Sequence, residues 1–263
     1  MSAMAQDDLD LLTLAAQKGG ACAMKWFADP GAIHEKSPGN PVTKADLEID
    51  QLLHDTLRAA RPDYGWLSEE RRDDGSRLGA GRSFVVDPID GTRAFIRGQP
   101  HFTICIAVVE AGRPLCAAVF NPACDELYSA RKGGGAFCNG VALHASARTA
   151  LQGARMLVPD GLLASSRWPE KWPPMHTGSR NSIACRIALV AAGKWDAALD
   201  MKPKSDWDLA AADLIASEAG ACITGLDGTV FRYDQTSSRK SGVICAGPAL
   251  HALILARVTE ALT

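Results

Sequence analysis

No Cys-x-x-Cys pair and no His-x-x-x-His spacing occurs in this sequence, although it holds eight cysteines and six histidines. The cysteines stand singly, most of them inside apolar text such as TICIAVV. That excludes the ordinary zinc spacings and predicts reduced, mostly buried thiols. No apolar run reaches the ~18–20 residues that a membrane-spanning helix needs. Aromatic residues make up only 6% of the chain, and the formal net charge is −2. With no basic stripe interleaved with aromatics, the sequence offers no footprint for a nucleic-acid polymer. Internal repeats and low-complexity linkers are also missing, which excludes solenoids and beads on a string. The opening, MSAMAQDDLDLL, is acidic and lacks the basic start of a signal peptide, so the expected compartment is the cytoplasm.

What is present is apolar text enough for a large core, 47% of 263 residues. Residues 8–27 carry Leu9, Leu12, Ala16, Ala23 and Phe27, an apolar stripe at helical spacing. Residues 46–60 repeat the pattern with Ile49, Leu52, Leu53 and Leu57, and Pro62 ends it. Strand text follows in SFVVD, FTICIAVVE, PLCAAVF and ELYSA, with AGRP and KGGGAFCNG as hairpin connections. Beyond residue 150 the elements alternate. ARMLV, DAAL, ACIT and GVICAG read as strands, and NSIACRIALVAAG and WDLAAADLIASEAG as helices. Pro248 opens a last helix over residues 249–262. Residues 160–179, rich in Pro and Trp, read as an irregular surface loop. The expected organisation is an α+β half over residues 1–145 and an α/β half over residues 146–263, closely packed as one layered unit.

Acidic residues gather at the junctions between these elements. Asp46 stands at the start of the second helix, Glu69 and Glu70 follow GWLS, and Asp208 stands at the start of a helix. Asp87 and Asp90 end the apolar run in FVVDPIDGTRAF. Singly, each has an ordinary explanation: a helix cap, a solvated loop, or an Asp-Pro and Asp-Gly turn. Together they suggest a cation site, because burying carboxylates is costly unless they are paired or hold a metal. Hard oxygen ligands suit Mg²⁺. Gly91 permits close backbone approach, and Thr92 adds a hydroxyl and, if TRAFI is helical, free N–H groups for a phosphate. This combination points to metal-assisted transfer of a phosphoryl group to water.

Four of these segments resemble, in order and spacing, the motifs of the inositol monophosphatase superfamily. D-P-x-D-G-T-x-x-F is matched at residues 87–95 and W-D-x-A-A-x-x-x-I-x-x-E-A-G at residues 207–220. V-T-x-A-D is matched at residues 42–46, and the Gly-Glu-Glu element appears as Ser68-Glu69-Glu70. The resemblance implies a five-layer αβαβα sandwich of the inositol monophosphatase and fructose bisphosphatase type. It implies two to three Mg²⁺ ions, lithium sensitivity and a small phosphorylated metabolite as substrate, with a homodimer as the family's frequent assembly. Glu70, Asp87 and the carbonyl of Ile89 are implied ligands of a first ion. Asp87, Asp90 and Asp208 are implied for a second, and a third sits near Glu70. Asp46 and Thr92 resemble the pair that positions and activates water, and Gly91 and Thr92 the phosphate-binding amides.

The substrate side departs from the inositol pattern. The Gly-Ser/Thr-Ala-Ala element reads Asn181-Ser182-Ile183-Ala184, leaving Ser182 as the expected substrate-side contact. An acidic residue expected seven positions before Asp208 is Met201, and Lys202 and Lys204 stand nearby. Loss of an acidic sugar contact beside gained lysines ranks a 3′(2′),5′-bisphosphate nucleotidase ahead of an inositol-1-phosphate phosphatase and a histidinol phosphatase, with Lys204 as receiver of the second phosphate. A catalytically silent binding protein on the same fold is the competing class. The full set of carboxylates speaks against it.

Overall fold

The computed structural model describes every residue except Met1, Ser2, Ala28, Pro30, Pro38 and Gly39. Two helices, α1 (Ala3–Trp26) and α2 (Lys44–Ala60), flank a short hairpin of β1 (Ile33–Ser37) and β2 (Asn40–Thr43). Next come β3 (Gly65–Ser68), β4 (Arg82–Asp90), the single turn α3 (Thr92–Ile96), β5 (Thr103–Glu110), β6 (Arg113–Asn121), β7 (Glu126–Arg131), β8 (Ala136–Cys138) and β9 (Val141–Ala142). Strands β3 to β9 form a seven-stranded sheet in sequence order, antiparallel except where β3 meets β4. The remainder supplies β10 (Arg155–Leu157), β11 (His176–Gly178), α4 (Ile183–Ala191), β12 (Ala197–Asp200), β13 (Lys204–Ser205), α5 (Asp206–Glu218), β14 (Cys222–Thr224), β15 (Arg239–Lys240), β16 (Val243–Ala246) and α6 (Pro248–Leu262). Five of these strands make a second sheet in the order β11-β10-β12-β16-β14.

Strand alternation sorts the apolar residues into three cores. On β4 to β6, Phe84, Val86, Ile104, Ile106, Val108 and Ala118 face α1 and α2, meeting Leu12, Ala16, Ile49 and Leu53. Their neighbours Val85, Cys105, Ala107, Ala117 and Val119 face the opposite way and pack with Ile187, Leu209, Ala212 and Ile215 of α4 and α5. The same helices meet Ala198, Val243 and Cys245 of the second sheet. The alternate residues Ala197, Leu199, Ile244 and Ala246 pack with Leu250, Ile254 and Val258 of α6. The result is the expected αβαβα sandwich, each buried aliphatic side chain contributing about 1.5–3 kcal/mol before the entropy cost of ordering it. Helix α5 is buried nearly all round, as a helix between two sheets must be, and its buried Asp213 is paired with Arg113 and Tyr233.

Two local features depend on glycine or on burial. A Cβ at Gly20 would lie 2.4 Å from the Phe120 ring, so its absence lets α1 lie close on the sheet. Residues 160–179 are less irregular than the sequence suggests. Their end forms β11, which pairs in parallel with β10, and buried Trp168 stacks edge-on against Trp172 within the α6-side core. All eight cysteines are free thiols.

Candidate active site

The site grows from the C-terminal end of β4. In a regular strand Asp87 and Asp90, three apart, would face opposite sides. The pairing with β5 runs Asp87 to Cys105 and Asp90 to Thr103, so β4 carries one extra residue there. That bulge turns both carboxylates to the α4–α5 side. The Ile89 amide donates to Asp87 Oδ1 at 3.0 Å. Gly91 then turns the chain with φ of 100°, and a Cβ there would sit 2.7 Å from the His101 carbonyl oxygen. Only glycine fits this approach.

Asp46 and Asp208 are placed by one device used twice. Each is the third residue of its helix and reaches back to the residue before the helix, as in a capping box. Asp46 Oδ2 accepts from the Thr43 amide at 2.7 Å and the Thr43 hydroxyl at 2.6 Å. Asp208 Oδ2 accepts from the Ser205 amide at 2.6 Å. The cap and the site are therefore not alternatives, since the second oxygen stays available. The Thr92 hydroxyl lies 3.2 Å from Asp46 Oδ1 and 3.1 Å from the Ile89 carbonyl oxygen, and its single proton serves one of them at a time.

The carboxylates converge. One ligand oxygen each from Asp87, Asp90 and Asp208 lies within 4.8 Å of the others. They line a cavity of about 180 Å³ with Glu69, Ile89, Gly91, Thr92, Arg93 and Asn181. Asp87 and Asp90 are buried, and among the described residues Asp87 Oδ2 is enclosed without a hydrogen-bond partner. Burial, then the charges of Glu69, Asp90 and Asp208, hold Asp87 well above the ordinary carboxylate range. Burial pushes Asp90 up to about 6, against the hydrogen bonds from Ser182 and Ala184. Burial and the Asp90 charge push Asp208 up to about 7. Arg186 beside Asp90 and Lys204 beside Asp208 offset only part of this crowding, and a divalent cation supplies the rest. The donor set fits Mg²⁺, being hard oxygen throughout, with one buried oxygen that no group among the described residues satisfies.

Three sequence expectations change in the structure. Glu69, not Glu70, lines the cavity. The parallel register pairs Ser68 with Val86, and the Glu69 amide donates to the Val86 carbonyl, so the next step of the ladder puts Glu69 beside Asp87. Lys36 was not anticipated: its Nζ lies 2.9 Å from Glu69 and 2.7 Å from Glu70, and no sequence pattern marks it. Ser182, expected against substrate, is wholly buried. Its hydroxyl lies 2.6 Å from Asp90 Oδ2, the oxygen that also accepts from the Ala184 amide at 2.7 Å. Ser182 thus caps α4, accepting from the Cys185 amide, and fixes Asp90. Lys204, expected to await a second phosphate, is paired with Asp200 at 3.1 Å. Asp87, Ile89, Asp90, Gly91, Thr92 and Asp208 line one cavity, and Asp46 is joined to it through the Thr92 hydroxyl.

The five alternating layers and the acid-lined cavity at the ends of β4 and α5 belong to a known class of metal-assisted phosphatases. The family model described as the inositol monophosphatase family matches residues 5–263, and the chain belongs to that family. It is 34% identical over 230 residues to an inositol-1-monophosphatase of Rhizobium meliloti, covering 84% of this chain and 86% of that one. It is 31% identical over 262 residues to a histidinol-phosphatase of Chlorobaculum parvum, covering 95% and 96% of the two chains. Among solved structures, the inositol monophosphatase of Thermotoga maritima superposes with a TM-score of 0.83 at 27% identity, covering 97% and 98%.

Proposed function

We propose that the chain is a Mg²⁺-dependent phosphomonoesterase that hydrolyses a small phosphorylated metabolite by direct attack of water. The convergence of Asp87, Asp90 and Asp208 around an unpartnered buried oxygen supports this most strongly. Asp87, Asp90, Asp208, the Ile89 carbonyl and Glu69, in the place first given to Glu70, would hold the cation, in two to three ions. Bound Mg²⁺ supplies Lewis-acid stabilisation of the negative charge on the phosphoryl and leaving oxygens.

The chain's own groups do the rest. When Thr92 donates to Asp46 or to the Ile89 carbonyl, its oxygen keeps lone pairs that accept from a water. Burial raises Asp46, which suits it to receive that water's proton through Thr92. The amides of Gly91 and Thr92 face the phosphoryl group. The water oxygen bonds to phosphorus as the ester P–O bond breaks, releasing inorganic phosphate and an alcohol that regains a proton.

For the substrate, our reading keeps a bisphosphorylated nucleotide ahead of inositol 1-phosphate and histidinol phosphate, although the named relatives carry the latter two activities. A cytoplasmic location and a homodimer belong to the same proposal. Among the described residues, no helix is long and apolar enough to cross a membrane. The test is phosphate release from phosphomonoesters with Mg²⁺ and with chelator, for wild type and folded Asp87→Asn. We expect release only from wild type with Mg²⁺, and inhibition by lithium. No release from any phosphomonoester would return the chain to the silent binding class.

A further inference from the structure

Beside the acidic cavity opens a larger one of about 530 Å³ with the opposite character. Arg93, Arg97, Arg180, Arg186 and Lys202 line it, against two carboxylates, Asp160 and Asp200. Arg93 and Asn181 line both cavities, so the two are parts of one groove. Asp200 is already neutralised, lying 3.1 Å from Arg186 and 3.1 Å from Lys204. Arg186 is also held by the Arg180 carbonyl and serves the fold. Among the described residues, the Arg180 guanidinium donates to the Ser179 carbonyl alone, and neither Arg97 nor Lys202 forms an ion pair. The imidazole of His101, on the same wall, is pushed down by burial and then by the Arg180 charge. In a chain whose net charge is −2, this basin is a local concentration of positive charge.

We propose that this basin seats a second anionic group, a phosphate in chemical class, carried by the same molecule whose phosphoester is cleaved in the acidic cavity. The inference rests on the phosphatase reading above and deepens it by naming the side chains that choose the substrate. Guanidinium groups suit phosphate oxygens because they present paired donors in a plane. A leaving group that carries an ammonium, such as histidinol, meets repulsion here. A neutral polyol such as inositol gains nothing from the arginines' charge. The receiver expected from sequence, Lys204, is occupied by Asp200, and the neighbouring Lys202 faces the basin in its place.

The test compares two substrates that differ only in the second group, 3′-phosphoadenosine 5′-phosphate and adenosine 3′-phosphate, at low and high salt. Wild type is expected to favour the bisphosphate in kcat/KM by at least tenfold, and added salt should shrink the preference. Arg180→Ala and the double variant Arg97→Ala, Lys202→Ala should each lower that ratio by roughly tenfold or more, mainly through KM, since charge-assisted hydrogen bonds are lost. Both variants alter cavity-wall side chains without buried ion pairs, so folding is retained. A wild-type ratio near one, a ratio unmoved in both variants, or wild-type preference for inositol 1-phosphate overturns the proposal. Each of those outcomes leaves phosphate release intact and so is separate from failure of the phosphatase reading, in which no substrate is cleaved.

Discussion

Replacing Asp90 with Asn should stabilise the metal-free protein while abolishing its activity. Asp90 lies 8% exposed, with Glu69, Asp87 and Asp208 around it. Its Oδ2 accepts both protein hydrogen bonds, from Ser182 and Ala184, and an amide oxygen in the same place accepts both. The substitution therefore removes charge and keeps shape. Burial pushes Asp90 from its ordinary 3.8 to about 6. At about 1.4 kcal/mol per pH unit, that is about 3 kcal/mol in favour of the protonated form. Between pH 4 and 6 the folded chain binds more protons here than the unfolded chain, so stability falls as pH rises and this contribution is gone above about pH 7. Asn is neutral throughout. At pH 8 in chelator, Asp90→Asn should unfold about 3 kcal/mol harder than wild type, roughly 6–12 °C in Tm for a chain of this size. At pH 4.5, where most wild-type Asp90 is already protonated in the fold, the gap should close to about 1 kcal/mol. Thermal and urea unfolding at the two pH values measure both gaps. Added Mg²⁺ should raise wild type and move the variant little. A variant no more stable than wild type at pH 8, or a gap equal at both pH values, would refute the charge-crowding account.

Two further outcomes follow from the site's geometry. Thr92→Ala and Asp46→Asn should each lower kcat by roughly 10²–10⁴-fold with little change in KM, because water orientation acts in the transition state; a loss confined to KM would assign both residues to binding. Glu69→Gln should weaken Mg²⁺ activation, seen as a higher Mg²⁺ concentration at half-maximal rate, by at least tenfold more than Glu70→Gln does. The reverse order would restore the ligand role that the family resemblance implies for Glu70.

The layers were legible because the forces that make them are local. Helical spacing in residues 8–27 and 46–60, alternation in FTICIAVV, and the Leu-, Ile- and Ala-rich text of α5 each specify an element and its buried faces. Asp87, Asp90 and Asp208 were legible only as a group, because each alone reads as a cap or a turn while several carboxylates beside apolar text call for a counter-charge. The choice between Glu69 and Glu70 was not, since adjacent identical residues are separated only by the register of β3 on β4. Ser182 looked like a substrate contact because a hydroxyl beside a phosphatase motif carries no sign of which way it points. The basic basin was invisible because its arginines come from separate segments around residues 93–97 and 180–186, and only the folded chain collects them.

The position of α5 between two sheets has a consequence for the order of assembly. Asp87 and Asp90 lie on β4, whose partner β5 follows closely in sequence, so that hairpin can form early. Asp208 joins them only when α5 has docked on the seven-stranded sheet, a contact that must close a long loop first. The cation site therefore comes into being with the closing of the sandwich and not before. Magnesium present from the start of refolding has nothing complete to bind while the first sheet forms. If the proposed ion binds there, added magnesium should slow unfolding of the finished molecule and leave the early rate of folding unchanged.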